Sequence, residues 1–208
     1  NRISLFAKYF CPKTAIAIGL SHLELIKYIY LNDSNPYALI IEDDVVPNVN
    51  NLKSSINEVI NDIDDNLWDI IKLHYFFYTN EKNPNYKNYL FTCSGAAYLI
   101  SRKGMQIMLN EKIYYHYDLQ INFTNLKIYK SLHKLFKTYE LDSSTNRTNN
   151  SVYGIFNNIK IPIIDTPDDR GLSFWLSFKA IRIFNFELSV LDLILLIILI
   201  IIIIKIKF

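Results

Sequence analysis

The chain has 208 residues and a formal net charge of +2, and half of its residues are hydrophobic. A chain of this length and apolar content can bury one sizeable core, so we expect one main folded unit. The near-neutral charge gives no electrostatic basis for binding a polyanion, and nucleic acid is not an expected partner. The only two cysteines, Cys11 and Cys93, exclude a disulfide scaffold and a cysteine-based zinc cluster.

The first apolar segments predict a strand followed by a helix. Residues 15–19 are short and apolar, which is typical of an edge strand. Ser21 and Glu24 have the spacing of a capping box, which predicts a helix that begins near His22. Residues 32–36 are rich in turn formers and end that helix.

An aliphatic run over residues 37–41 leads directly into three consecutive acids, Glu42, Asp43 and Asp44. Pro47 prevents a central strand from continuing. The pattern predicts a buried strand that delivers carboxylates to its C-terminal end, where ligands bind in open α/β sheets. Because adjacent carboxylates repel each other unless a cation lies between them, the acids favour a divalent metal site. Capping of the following turn is the alternative.

Further elements complete an expected α/β fold with a mixed sheet flanked by helices. Residues 52–63 carry apolar side chains at helical spacing, and residues 69–73 form a second strand candidate. Strand, helix and strand over this distance predict a neighbouring parallel pair with a right-handed crossover. Residues 96–100 are expected to be extended, and residues 102–109 to form a helix capped by Ser101.

The C-terminal tail contains twelve uninterrupted aliphatic residues, 193–204. This run covers about 18 Å as a helix, whereas the hydrocarbon core of a bilayer is roughly 30 Å thick. With residues 184–190 added to the helix, and Lys205 and Lys207 reaching the headgroups, the tail becomes a candidate membrane anchor. Low-complexity sequence from biased codon usage is the alternative. The expected organisation is a folded domain over residues 1–180 and a hydrophobic tail over residues 187–208.

Three blocks of the sequence resemble glycosyltransferase family 25 in order and approximate spacing. They are Ala-Ile-Gly-Leu-Ser-His at 17–22, Ala-Leu-Ile-Ile-Glu-Asp-Asp-Val at 38–45, and Ser-Gly-Ala-Ala-Tyr-Leu-Ile-Ser-Arg-Lys-Gly at 94–104. This family includes bacterial lipopolysaccharide sugar transferases and procollagen galactosyltransferases. The resemblance implies a GT-A-like (Rossmann-like) domain. It also implies inverting transfer of a hexose, galactose or glucose, from a UDP-sugar to a hydroxyl of a glycan or protein acceptor.

The resemblance also implies roles for individual residues. Asp43 and Asp44 would hold Mn²⁺ or Mg²⁺, with Asp44 among the catalytic residues. Asp118 would be the catalytic base, because an inverting displacement needs a base within hydrogen-bond reach of the acceptor hydroxyl. The residues expected to bind the donor are Ser21, His22, Glu42, Ser94, Gly95 and Tyr98.

The chain departs from the family pattern near its start. Family members usually begin with a strand that carries an Asn-Leu-Asp-Arg-like segment, and no such segment precedes Ala15. The sequence begins at Asn1 without a visible signal peptide, so we expect a processed product, a fragment, or a gene that lacks its usual first segment. A membrane-attached relative without activity, which only binds glycans or partner proteins, is therefore the second hypothesis. The sequence assigns no cellular compartment.

Overall fold

The computed structural model describes residues 2–63, 67–75, 94–138 and 176–207 of the chain. The helices in these ranges are α1 (Leu5–Phe10), α2 (Lys13–Asn32), α3 (Leu52–Asn61), α4 (Arg102–Asn110), α5 (Tyr117–Gln120) and α6 (Val190–Lys207), with a 3-10 helix at Ile121–Phe123. The strands are β1 (Tyr37–Ile41), β2 (Val45–Pro47), β3 (Ile70–Lys72), β4 (Ala97–Ser101), β5 (Ile128–Lys130), β6 (Phe136–Thr138), β7 (Lys179–Ile183) and β8 (Phe186–Ser189).

A mixed sheet of four strands, in the order β1-β4-β3-β5, forms the centre of the fold. Strand β4 is antiparallel to both β1 and β3, while β3 and β5 are parallel. The prediction that β1 and β3 are neighbours is therefore wrong, although they run in the same direction. Strand β4 lies between them because residues 97–100 are buried on both faces, as suits a central strand. As a result, the C-terminal ends of β1, β3 and β5 share one sheet edge with the start of β4.

Helices cover both faces of this sheet, as expected for the predicted fold class. Successive strand residues point to opposite faces, so Ile70 and Ile100 join one core and Ile71 and Leu99 join the other. The first core includes buried side chains from α2 and α4, and the second includes Val59 from α3. The fold is therefore mixed α/β, with a mixed sheet between helical layers.

Helix α2 corrects the prediction for the first segment. The edge strand at 15–19 and the helix start near His22 are both wrong, because Lys13–Asn32 is one continuous helix. Ser21 lies inside this helix and its hydroxyl donates to the Ala17 carbonyl at 3.0 Å, so it is not an N-cap. The physical reason is a helical stripe of buried residues that runs through both segments: Ala15, Gly19, His22, Leu23 and Ile26.

Among the described residues, α2 is also the one helix that is long and apolar enough to cross a bilayer by length and composition. The same helix packs against α4 and α5 through its buried stripe. The buried stripe belongs to the core, whereas Leu25, Tyr28 and Leu31 on the same helix are exposed.

The C-terminal part consists of a β7–β8 hairpin that leads directly into α6. The Arg182 guanidinium donates to the Lys8 carbonyl, and the Lys13 backbone N–H donates to Glu187 Oε1 at 2.9 Å, so the hairpin is attached to α1 and α2. A hydrophobic C-terminal helix is confirmed. Its expected extension back through residues 184–190 is wrong, because residues 186–189 pair with β7 and the helix begins at Val190.

Candidate active site

The predicted site lies at the sheet edge where the C-terminal ends of β1, β3 and β5 meet the start of β4. Glu42 follows β1, and its backbone N–H donates to the Ala96 carbonyl at 2.7 Å, which joins the acidic segment to the segment before β4. Lys72 ends β3 and is paired in register with Tyr98 on one side and Lys130 on the other. Residues far apart in the chain therefore converge where open α/β sheets bind ligands.

A buried hydrogen-bonded chain links the three sequence blocks at this edge. His22 Nδ1 lies 3.0 Å from the Tyr98 hydroxyl, and His22 Nε2 lies 3.1 Å from Glu42 Oε1. The Tyr98 hydroxyl lies 2.9 Å from the Tyr117 hydroxyl. We call these four residues, His22, Glu42, Tyr98 and Tyr117, the His22 network.

The proton assignments that satisfy every contact in the His22 network place a proton on His22 Nε2, since the Glu42 carboxylate there can only accept. A neutral imidazole with its proton on Nε2 donates to Glu42 and accepts from the Tyr98 hydroxyl at Nδ1. The Tyr98 oxygen then accepts from the Tyr117 hydroxyl. In a doubly protonated imidazole both nitrogens donate, so Tyr98 would turn its proton toward Tyr117 and the latter's hydroxyl would need another acceptor. In both assignments the Nε2–H of His22 donates to Glu42.

Burial and stacking hold this network rigidly. The imidazole of His22 and the ring of Tyr117 stack with centroids 4.2 Å apart and an interplanar angle of 10°. Burial raises the pKa of Tyr98 well above its usual range, with further contributions from Tyr117 and from the charge of Glu42. Burial likewise raises the pKa of Tyr117. Both phenols are thus neutral hydrogen-bonding groups at ordinary pH.

Gly95 lies against three members of this network. A Cβ atom at position 95 would lie 3.3 Å from a ring carbon of Tyr117, 3.4 Å from Glu42 Oε1 and 3.7 Å from His22 Nε2. The first two distances are at or below the close limit of ordinary van der Waals contact. Glycine therefore allows the backbone before β4 to approach the Glu42 carboxylate closely.

Ser94 has a strained backbone, with φ of 115°. Its hydroxyl lies 2.7 Å from His74 Nδ1 and accepts from the Ala96 N–H at 3.1 Å, and its carbonyl accepts from the Lys72 ammonium. Such strain costs about 1–3 kcal/mol and persists only where the surroundings fix the conformation. These contacts fix the segment that carries Gly95 beside Glu42.

The acids Asp43 and Asp44 occupy the turn between β1 and β2, where Asp43 is exposed and Asp44 is half-buried. Among the described residues, no group of three or more His, Cys, Asp or Glu side chains is arranged to hold a metal ion. Mg²⁺ and Mn²⁺ are commonly bound through one or two carboxylates, with phosphate and water oxygens as the remaining ligands. Two adjacent acids on an accessible turn fit that mode of binding.

The predicted site residues do not all reach the network. His22, Glu42 and Tyr98 belong to it, and Gly95 contacts it, whereas Ser21 is exposed on the outside of α2. In the segment that carries Asp118, the neighbouring Tyr117 is the residue that joins the network.

Asp118 accepts a hydrogen bond from the Leu119 N–H at 2.9 Å and interacts electrostatically with Tyr115 and His116. His116 in turn contacts the Lys179 carbonyl on β7. The assignment of Asp118 as base stays a prediction. Tyr117 lies in the aromatic run 114–117, whose composition is equally typical of core, so the sequence did not single it out.

No family model, no curated protein and no solved structure matches the chain. The functional argument therefore depends on the site itself.

Proposed function

We propose that this protein is a metal-dependent glycosyltransferase of the GT-A type, similar to family 25, which moves a hexose from a UDP-sugar to an acceptor hydroxyl. One observation carries the proposal: the three blocks that resemble the family meet in space. His22 from the first block, Glu42 from the second and Tyr98 from the third form one hydrogen-bonded unit at the edge where ligands bind in such sheets. Structural packing alone does not require polar residues from all three blocks to converge.

In this proposal the turn after β1 receives the donor diphosphate. Asp43 and Asp44 would hold Mn²⁺ or Mg²⁺, which when bound neutralises the charge that develops on a leaving diphosphate. The tight backbone at Gly95 leaves the Glu42 carboxylate accessible beside this turn, with its side chain 33% exposed. The β3 end contributes the buried ammonium of Lys72, which fixes Ser94 and raises the local positive potential.

We assign the role of base to Glu42 ahead of Asp118. The Glu42 carboxylate is partly exposed, and the His22 N–H fixes one of its oxygens at 3.1 Å. A base must be positioned within hydrogen-bond reach of the hydroxyl it deprotonates, and His22 orients Glu42 for that task. Tyr98 and Tyr117 are positioning residues, since the Tyr98 hydroxyl holds Nδ1 and the Tyr117 ring stacks on the imidazole, which leaves Nε2 facing Glu42.

A second candidate function is a binding module without activity. The observation that favours it is the burial of the network: His22 is 6% exposed and Tyr98 is fully buried, with their polar groups bonded to each other. In that case the network stabilises the fold and the exposed acids bind a partner without chemistry.

The test is calorimetric titration of the full chain, in detergent micelles, with UDP in the presence and absence of Mn²⁺. We expect binding that depends on Mn²⁺ and is lost in Asp44→Ala, because this substitution removes a cation ligand. Glu42→Gln is the matched variant: it keeps the shape of the side chain and a hydrogen-bonding oxygen, but it cannot accept a proton as a base. It should bind UDP within about threefold of the parent chain yet lose hydrolysis or transfer of the donor sugar.

The outcomes separate the two candidates. Absence of UDP binding in a chain with intact circular dichroism contradicts the transferase proposal and leaves the binding module. Loss of turnover in Asp118→Asn, with full turnover in Glu42→Gln, would return the role of base to Asp118.

A further inference from the structure

Helix α6 exposes apolar side chains on all of its sides. Each of the eleven consecutive Ile and Leu residues from 194 to 204 is between 40% and 57% exposed. Consecutive residues project at intervals of about 100° around a helix, so no face is covered more than another. A protein partner would cover one face and leave the opposite one in water, whereas lipid chains cover every face. The helix is therefore suited to a bilayer.

Polar groups mark the two ends of this helix. Asp192 is fixed at its start, where its carboxylate accepts from the Ser189 N–H at 2.8 Å and from the Ser189 hydroxyl at 2.7 Å. Lys205 and Lys207 lie at the far end, and residues 193–204 between them carry no charge. Charged residues at both ends of an apolar helix are typical of a segment that enters a membrane.

The apolar part of α6 is short for a bilayer. Residues 193–204 span about 18 Å and the whole helix of 18 residues about 27 Å, against a hydrocarbon core of roughly 30 Å. A short segment is accommodated by thinning of the bilayer and by side chains that extend to the headgroups. Because α6 follows β8 without a linker, its shortness also draws the attached domain onto the bilayer surface.

Exposed apolar side chains also lie on the hairpin that leads into α6 and on α1, which contacts that hairpin. Phe184, at the turn of the β7–β8 hairpin, is 87% exposed, and Phe186 is also exposed. Helix α1 contacts β7 and adds further exposed residues, of which Phe6 and Phe10 have ring centroids 5.3 Å apart. We call the following set the apolar patch: Leu5, Phe6, Tyr9, Phe10, Phe184 and Phe186.

We propose that the apolar patch lies in the headgroup layer of the lipid bilayer that α6 enters, so that the domain rests directly on the membrane. Phe and Leu side chains bury at the boundary between headgroups and acyl chains, and the hydroxyl of Tyr9 suits the headgroups beside them. Lys8, exposed among them on α1, suits the phosphate groups of the same layer. The proposal is independent of the proposed function, since a binding module would rest on the membrane in the same way.

The experiment uses the full chain reconstituted into phosphatidylcholine vesicles, with or without lipids brominated near the headgroup. A tryptophan is introduced by Phe184→Trp or, as a matched control, by Leu31→Trp, which is also exposed. Leu31 lies 18 residues along α2 from Lys13, about 27 Å from the end that contacts the hairpin. After subtraction of the parent emission from Trp68 and Trp175, quenching at position 184 should exceed that at position 31 at least threefold.

Equal, weak quenching at both positions would overturn the proposal. The anchor is checked by alkaline carbonate extraction of the vesicles. The parent chain and the control Ile198→Leu/Ile201→Leu should stay with the lipid, and Ile198→Asp/Ile201→Asp should be released at least tenfold more. A parent chain that is extracted as a soluble oligomer would also overturn the proposal and identify a second copy as the occupant of α6.

Discussion

At the scale of single residues, the hydroxyl group of Tyr98 lies at the centre of the His22 network, between His22 and Tyr117. It contacts both His22 Nδ1 and the Tyr117 hydroxyl inside the protein, and the ammonium of Lys72 lies 5.6 Å from the centroid of its ring. A buried group with two polar partners contributes little net stability itself but is costly to remove, because its partners lose their hydrogen bonds. Tyr98 therefore fixes the orientation of the His22 ring and through it the orientation of Glu42.

We predict that Tyr98→Phe lowers the free energy of unfolding by about 1–3 kcal/mol, because the buried His22 Nδ1 and Tyr117 hydroxyl lose a partner. The measurement is urea unfolding followed by far-UV circular dichroism. Tyr28→Phe is the control, since Tyr28 is 67% exposed, and it should change stability by less than about 0.5 kcal/mol. Equal stability of the two variants would mean that the network does not form.

At the scale of elements, the close packing of α4 on the sheet depends on a glycine. A Cβ at Gly104 would lie 2.4 Å from the Asp69 carbonyl oxygen, which is backbone and cannot move aside cheaply. Ser101 caps the same helix by accepting from the Gly104 N–H at 3.0 Å, and the Ser101 N–H donates to the Asp69 carbonyl at 2.9 Å. The N-terminus of α4 is thus fitted against the start of β3.

We predict that Gly104→Ala destabilises the protein by at least about 2 kcal/mol, although alanine favours a helix by up to ~1 kcal/mol over glycine. Gly19→Ala is the matched control inside α2: there the nearest atoms to the new Cβ all belong to the Ile113 side chain, the closest at 3.0 Å, and a side chain gives way at lower cost than backbone. It should change the free energy of unfolding by less than about 1 kcal/mol. Similar losses in both variants, by urea unfolding, would contradict this account.

The elements show which features local sequence determines. The positions of β1, β4 and α4 with its Ser101 cap were predicted correctly, because each carries its own pattern of apolar and capping residues. The expectation that β1 is buried was wrong: it is an edge strand that pairs with β4 alone, and only Ile40 in it is buried. The start of α2 was predicted wrongly. The capping-box spacing at Ser21 is a local signal, whereas the buried stripe from Ala15 to Ile26 depends on packing against α4 and α5. Strand order failed for the same reason: the insertion of β4 depends on pairing between distant segments.

The candidate site follows the same division. His22, Glu42, Gly95 and Tyr98 could be singled out because they lie in motifs that resemble a family. Tyr117 could not, because its role depends on the stacking of its ring on His22 and not on any neighbouring residue in the chain. A motif identifies residue types at a spacing, whereas the hydrogen-bonded partners of those residues depend on the fold.

At the scale of the whole molecule, the network joins four separate elements. His22 comes from α2, Glu42 from the end of β1, Tyr98 from β4 and Tyr117 from α5, so unfolding exposes both phenols together. Burial raises the pKa of both tyrosines in the folded state. The stability of the fold is therefore linked to alkaline pH through these two groups.

We predict that stability falls steeply above about pH 10, the usual pKa of tyrosine. The folded phenols keep their protons there while the unfolded chain loses them, so rising pH favours unfolding by about 1.4 kcal/mol per pH unit for each phenol. Below that pH both states are protonated and this contribution is constant.

The measurement is urea unfolding of the full chain in detergent from pH 8 to pH 11. Tyr117→Phe should reduce the slope above pH 10 by about one proton, whereas the exposed control Tyr28→Phe should keep the slope of the parent chain. A parent chain whose stability does not change between pH 9 and pH 11 would show that these phenols titrate normally in the folded state. It would remove the buried network as the feature that joins these four elements.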